Sequence, residues 1–237
     1  MSSAPRIVIT GLGVHTGHGD TAATWTALGQ GRSALQPEYP WSRGWDEADR
    51  DSSATPFTFP AAPAPDPAPW EFLADRKSIK YMGLCTQMAV LAAGRALRDA
   101  GLADASTARE RQDSALFVAT GPIAFDLEQA LKSIGAEGAT DLIALRQEGL
   151  RRCHPLLPFK MLLNMPLGLV SITFGIKGPN FILYPGADQG ACALAHALRG
   201  LRQGRFSRAL VGGSAHTLSL SPLLGLRRGQ RLAATVE

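Results

Sequence analysis

Residues 181–200, FILYPGADQGACALAHALRG, pass from an apolar run through the turn YPGAD straight into a stretch with helical spacing. A strand that breaks so abruptly into a helix has to lay that helix back across its own sheet, the unit from which α/β proteins are built. Other segments repeat the pattern. RIVITGLG at 6–13 is β-branched and ends in glycines, which predicts a buried strand and a tight turn; SALFVAT at 114–120 opens into Gly121-Pro122, and FSRALVGG at 206–213 ends in two glycines. Helical patterns lie between them. Asp20 is placed to cap TAATWTALGQG, closed by Gly29 and Gly31. Over 78–100, Met82, Cys85, Ala89, Ala92, Ala93, Ala96 and Ala100 share one face and Gly101 ends the helix. So much alanine on that face predicts close approach to another element. Further helices are expected at 126–134, at 168–174 after a start at 163–166, and at 188–203. Residues 135–160 read as short helices and 175–180 as a turn. The sum is an α/β protein with a mainly parallel or mixed sheet and no fixed-period repeats.

Residues 36–70 depart from this alternation. They are dense in proline, hold Trp41, Trp45 and Trp70, and carry an acidic patch. Proline removes backbone donors and fixes φ, so an extended surface excursion is expected. The tryptophans, with Phe57 and Phe59, predict that it packs against something. It reads as an insertion within a single domain spanning residues 1–237, a length that suits one large domain.

No apolar run reaches the roughly 18 residues a membrane span requires, and MSSAPRIVITGLG enters a strand without a charged leader, so a cytoplasmic protein is expected. Cys85, Cys153 and Cys192 form a sparse, odd set without metal-ligand spacing, which fits a reducing compartment. The formal charge is +4, and arginines gather at 146–152, 199–208 and 227–231. Such a surface favours an acidic partner, whereas nucleic acid is disfavoured: there is no zinc motif, no RNP-type aromatic pattern and no dense basic run. GLGVHTGHG lacks the G-x-G-x-x-G spacing, and no acidic residue closes a second strand downstream, so a dinucleotide site is not expected. His15 and His18 have a spacing a metal accepts, but without a third ligand they read as loop histidines. No cofactor and no metal are expected.

RIVITGLGVHTGHGDTAATWTALGQGRSAL, AVLAAGRALRDAGL, LLNMPLGLVSITFGIKGPN and ALVGGSAH, in that order, resemble the β-ketoacyl synthases, the condensing enzymes of fatty-acid and polyketide assembly. The resemblance implies a thiolase-like fold, built of two similar α/β halves stacked in layers, and this chain has the length of the first half only. It also implies that the catalytic histidines and lysine of such synthases belong to the second half, beyond Glu237. Counted without a gap from Gly178, the family's nucleophilic cysteine falls on Ala187.

That position has no group to ionise. A thiolate at a helix start is stabilised by free N–H groups and the helix dipole, and Asp188 would set a negative charge beside it. As an N-cap, by contrast, Asp188 suits the helix, its carboxylate accepting from first-turn N–H groups. Cys192 lies a turn further along in an alanine-rich setting and reads as a small buried core residue. Cys153 and His154 are adjacent, so their side chains diverge. No catalytic residue is assigned.

Type II polyketide systems pair a ketosynthase with a similar subunit lacking the cysteine, the chain length factor. The resemblance therefore implies a non-catalytic partner subunit that pairs with an active ketosynthase and helps shape the acyl-chain tunnel. Those subunits often carry glutamine where this chain has alanine, and Gln189 comes into register only with a two-residue shift. The alternatives are a protein that binds an acyl carrier protein or assembles as a dimer without condensing anything, and an enzyme completed by a second polypeptide. Arg202, Arg205 and Arg208, or Arg227, Arg228 and Arg231, are candidates to meet the acidic carrier protein. Phe181, Ile182, Leu183 and Tyr184 are the candidate dimer strand, pairing with a ketosynthase in a heterodimer or with a second copy in a homodimer.

Overall fold

In a computed structural model, which describes residues 6–40, 58–104, 107–121, 155–184, 186 and 188–229, the elements run in the order α1 (Thr21–Gly29), β1 (Gln36–Pro40), β2 (Thr58–Ala61), α2 (Leu84–Asp99), α3 (Ala108–Gln112), β3 (Ala115–Thr120), α4 (Leu157–Met161), α5 (Met165–Phe174), β4 (Asn180–Leu183), α6 (Gln189–Arg202), β5 (Ala209–Ser214) and α7 (Leu220–Arg228). Every residue of β3 is buried, as an inner strand covered on both faces must be. It pairs in parallel with β4 on one side (Leu116 opposite Asn180, Ala119 opposite Leu183) and with β5 on the other (Ala115 opposite Ala209, Thr120 opposite Ser214). The sheet order is β4-β3-β5. Among the described residues this sheet is wholly parallel, within the mainly parallel or mixed sheet expected; the antiparallel pair, β1 with β2, stands apart from it.

The two-residue period of β3 divides the core. Leu116 and Val118 face α2 and α5, where they join Val90, Val170 and Ile176. Ala115, Phe117 and Ala119 face α6 and meet its Ala193 and Ala197. Small residues let α6 lie close: a methyl on Gly200 would overlap the ring of Phe206.

The 78–100 pattern resolves into a 3-10 turn, Arg76–Tyr81, and α2. Met82 and Gly83 separate them in extended conformation, which sends the Met82 side chain into the core. Gly101, at φ +69°, terminates α2 as expected. Asp20 caps α1 by accepting from the Ala23 N–H at 2.9 Å.

The N-terminal run departs from expectation. Residues 6–13 form no strand, and Val8 and Ile9 are 67% and 79% exposed. Their β-branched character is outweighed by how the glycines that follow are held. A methyl on Gly11 or Gly13 would overlap the Ala96 or Ala92 carbonyl of α2. The Leu12 N–H donates to the Asp99 carboxylate at 2.8 Å, and Arg95 donates to the Val14 carbonyl at 2.7 Å. Backbone groups that would have joined a sheet are thus spent on α2. The close approach predicted from the alanine face is this one.

In the 36–70 stretch, Phe59 and Ala61 of β2 are buried with Leu223 of α7, and Tyr39 meets Phe59 edge-on at 6.1 Å. That part of the segment packs, as expected, although Trp70 is 41% exposed. Trp41, Trp45, Phe57, the expected helix at 126–134 and most of 135–160 lie outside the described residues.

Candidate site at the carboxyl ends of the parallel strands

Ligands of open parallel sheets bind beyond the carboxyl ends of the strands, where the turns into helices gather. Here that edge comprises the turn after β4, Thr120 and Gly121 after β3, and Ser214 to His216 after β5. Pro185 and Ala187 lie outside the described residues; Tyr184, Gly186 and Asp188 are exposed.

Asp188 occupies the N-cap position of α6 but does not cap it with its side chain. Its backbone is already helical (φ −99°, ψ 0°), whereas a capping side chain reaches the first turn from an extended residue. The carboxylate turns along the helix instead. One oxygen accepts from the Gln189 amide at 3.3 Å and the other from the Cys192 thiol at 3.7 Å. Cys192 is itself half-buried rather than a core residue, since α6 turns Ala193, Ala197 and Gly200 to the sheet. Desolvation, and then the Asp188 charge and hydrogen bond, push its thiol up from the ordinary value. A carboxylate there works against a thiolate.

The edge also holds a contact that no sequence pattern signals. Cys85, at the start of α2, donates to the Ser214 carbonyl at 3.3 Å, and the Ser214 hydroxyl donates to the Cys85 carbonyl at 2.7 Å. The partners are 129 residues apart, so no local spacing signals them. Burial pushes the Cys85 thiol up, offset in part by the Ser214 hydroxyl. Neither described cysteine is poised as a nucleophile.

Asp188→Asn is therefore expected to lower the Cys192 pKa. Alkylation of Cys192 by iodoacetamide should then move to lower pH, because removing the neighbouring charge favours the thiolate. An unmoved pH profile would contradict this account of the turn.

The other sequence candidates separate in space. In β4, the outermost strand among the described residues, Phe181 is 63% exposed and stacks on Phe117 at 6.1 Å; Tyr184 just beyond it is exposed, while Ile182 and Leu183 are half-buried. Arg202, Arg205 and Arg208 are exposed between α6 and the amino end of β5, away from the turn. Arg227 and Arg228 are exposed at the end of α7, and Arg231, Cys153 and His154 lie outside the described residues. His15 bonds the Pro65 carbonyl through Nε2 at 2.8 Å. Among the described residues no cluster of three or more His, Cys, Asp or Glu could hold a metal, and no helix is long and apolar enough to cross a membrane.

The family model "Beta-ketoacyl synthase, N-terminal domain" matches residues 4–236. A putative mitochondrial 3-oxoacyl-[acyl-carrier-protein] synthase of Schizosaccharomyces pombe is 26% identical over 231 residues, covering 96% of this chain and 50% of that protein. Among solved structures, the ishigamide ketosynthase/chain length factor superposes with a TM-score of 0.73 at 20% identity, over 99% of this chain and 53% of that one. A type II polyketide synthase acyl-carrier protein in complex with its ketosynthase gives 0.64 at 15% identity, over 94% and 54%. The chain spans about half the length of the curated relatives it matches. With helices packed on a parallel sheet and a family match over nearly its whole length, this chain belongs to the β-ketoacyl synthase family and has the N-terminal half of its thiolase-like fold.

Proposed function

We propose that the chain is a non-catalytic, ketosynthase-like partner subunit of a polyketide or fatty-acid condensing system, akin to a chain length factor. It pairs with an active ketosynthase and helps shape the acyl-chain tunnel. The observation that carries this reading is the turn after β4: alanine at the position counted for the nucleophile, followed by a carboxylate that raises the pKa of the nearest thiol. The ketosynthase/chain length factor among its structural neighbours supports the same reading.

Pairing is supported by what the chain leaves bare. Leu194 and Leu198 of α6 are 59% and 37% exposed, and Phe181 lies on β4, the outermost strand of its sheet among the described residues. Leaving even ~400 Å² of apolar surface in water forgoes about 10 kcal/mol, comparable to a domain's whole stability. An unpaired edge also invites association. We assign Phe181, Ile182, Leu183 and Tyr184 to the interface with the partner. Sedimentation at low micromolar concentration, alone and with a cysteine-bearing ketosynthase, tests this: a heterodimer is expected, and a well-folded monomer indifferent to the ketosynthase would overturn it.

The second reading, a carrier-protein-binding or assembly dimer, is favoured by the exposed arginines. Rim charges mainly set encounter rate and salt dependence. Reversing Arg202, Arg205 and Arg208 to Glu is expected to slow carrier-protein association about tenfold or more at low salt, with little effect at high salt. Unchanged association would reduce the patch to a solvated face.

A further inference from the structure

A cavity of about 630 Å³ opens at the amino ends of β3 and β5, the end of the sheet remote from the turn after β4. Its charged lining is all of one sign. Arg6, Arg111 and Arg208 line it, and no Asp or Glu does. The backbone brings two of these arginines together. The Ser114 N–H donates to the Arg111 carbonyl at 3.1 Å, and the Ala115 N–H donates to the Arg208 carbonyl at 3.0 Å. Two consecutive residues at the entry to β3 thus hold an arginine from α3 and an arginine from the approach to β5 at one place. Arg6 arrives on the N-terminal segment, whose Gly11 rests against Ala96 and Ala100 of α2.

The Arg111 guanidinium is fixed by neutral groups. Its Nε donates to the Phe174 carbonyl at 3.0 Å. One terminal nitrogen donates to the Leu102 carbonyl at 2.7 Å, the Asp104 carbonyl at 2.6 Å and the Thr107 hydroxyl at 2.9 Å. None of these acceptors cancels the charge, and among the described residues the second terminal nitrogen has no acceptor. A guanidinium held in place this way loses little freedom on meeting an anion. Arg6 and Arg208 are exposed, and among the described residues no carboxylate pairs with them. The three charges therefore set up a positive potential in the cavity that no acidic side chain offsets.

Guanidinium forks match the oxygens of a phosphate group, and the exposed hydroxyl of Ser207 adds a donor beside Arg208. The remaining wall is apolar, with Leu97, Leu102, Ile176 and Phe206. A volume of this size suits an organic ligand rather than a bare ion. We propose that the cavity binds a phosphomonoester with a compact organic body, its phosphate meeting Arg111, Arg6 and Arg208 and its body resting on the apolar wall. The site does not rest on the partner-subunit reading. Arg208 is common to it and to the patch offered to a carrier protein, whereas Arg6 and Arg111 belong to the cavity alone and Arg205 lies outside it.

Calorimetric titration of the purified chain, in whatever assembly it forms, with naphthyl phosphate, naphthol and inorganic phosphate at fixed ionic strength tests the assignment. Saturable one-to-one binding of naphthyl phosphate is expected, about tenfold or more tighter than either naphthol or inorganic phosphate, because head group and body each contribute. Arg6→Ala with Arg208→Ala, both exposed and so without consequence for the core, should weaken naphthyl phosphate about tenfold and leave naphthol unchanged. Ser207→Glu, which sets a carboxylate at the mouth, should weaken it by about as much. Arg205→Ala, outside the cavity, should leave it unchanged. Absence of saturable binding, equal affinity for naphthyl phosphate and naphthol or for inorganic phosphate, or an equal loss in Arg205→Ala and the double variant would overturn the proposal.

Discussion

Gly13→Ala is expected to destabilise the chain by about 3 kcal/mol or more, although it adds only a methyl group. The new Cβ would overlap the Ala92 carbonyl and the Ala96 backbone nitrogen of α2. Backbone inside a helix cannot step aside as a side chain can. The same contact orders residues 12–14, whose backbone is tied to Asp99 and Arg95, so the damage should spread to the whole N-terminal segment. Gly29→Ala is the control: nothing lies within 4 Å of its added Cβ, and alanine there should be neutral or stabilise by about 0.5 kcal/mol. Denaturant midpoints of the two variants decide the matter. Similar midpoints would mean that the segment does not lie against α2 as described.

The second large effect is an absence of chemistry. Incubated with an acyl thioester, the chain alone is expected to acquire no acyl adduct by intact mass. Ala187 offers no nucleophile, and the thiols of Cys85 and Cys192 both have raised pKa values, so at neutral pH they stay protonated. Cys85 is further shielded by burial and by its reciprocal hydrogen bonds with Ser214. A stable adduct on any of the three cysteines would contradict the account of the turn.

The parts of the fold legible in the sequence were those governed by local pattern. The apolar runs that became β3, β4 and β5 were bounded by glycines or turn residues, and Asp20 and Gly101 marked helix ends by short-range stereochemistry. Where distant groups compete for the same atoms, local pattern misled. RIVITGLG has strand composition, yet Asp99 and Arg95, both on α2, take up backbone groups of its glycine-rich end. Asp188 has capping chemistry, but its helical backbone directs the carboxylate toward Gln189 and Cys192. The contact between Cys85 and Ser214 exists only because β5 ends beside the start of α2. The glycines of GLG fit against alanine carbonyls of α2, a use that required the other half of the contact to be seen.

The central claim is that this chain serves a ketosynthase without performing the condensation itself, and a single comparison tests it. Condensation of an acyl and a malonyl thioester would be measured for a cysteine-bearing ketosynthase alone, for its complex with this chain, and for the complex in which the ketosynthase cysteine is replaced by alanine. The account predicts that this chain changes the rate or product length of the intact ketosynthase and that activity vanishes with that one cysteine. Condensation persisting without it, or a ketosynthase indifferent to the presence of this chain, would contradict the account.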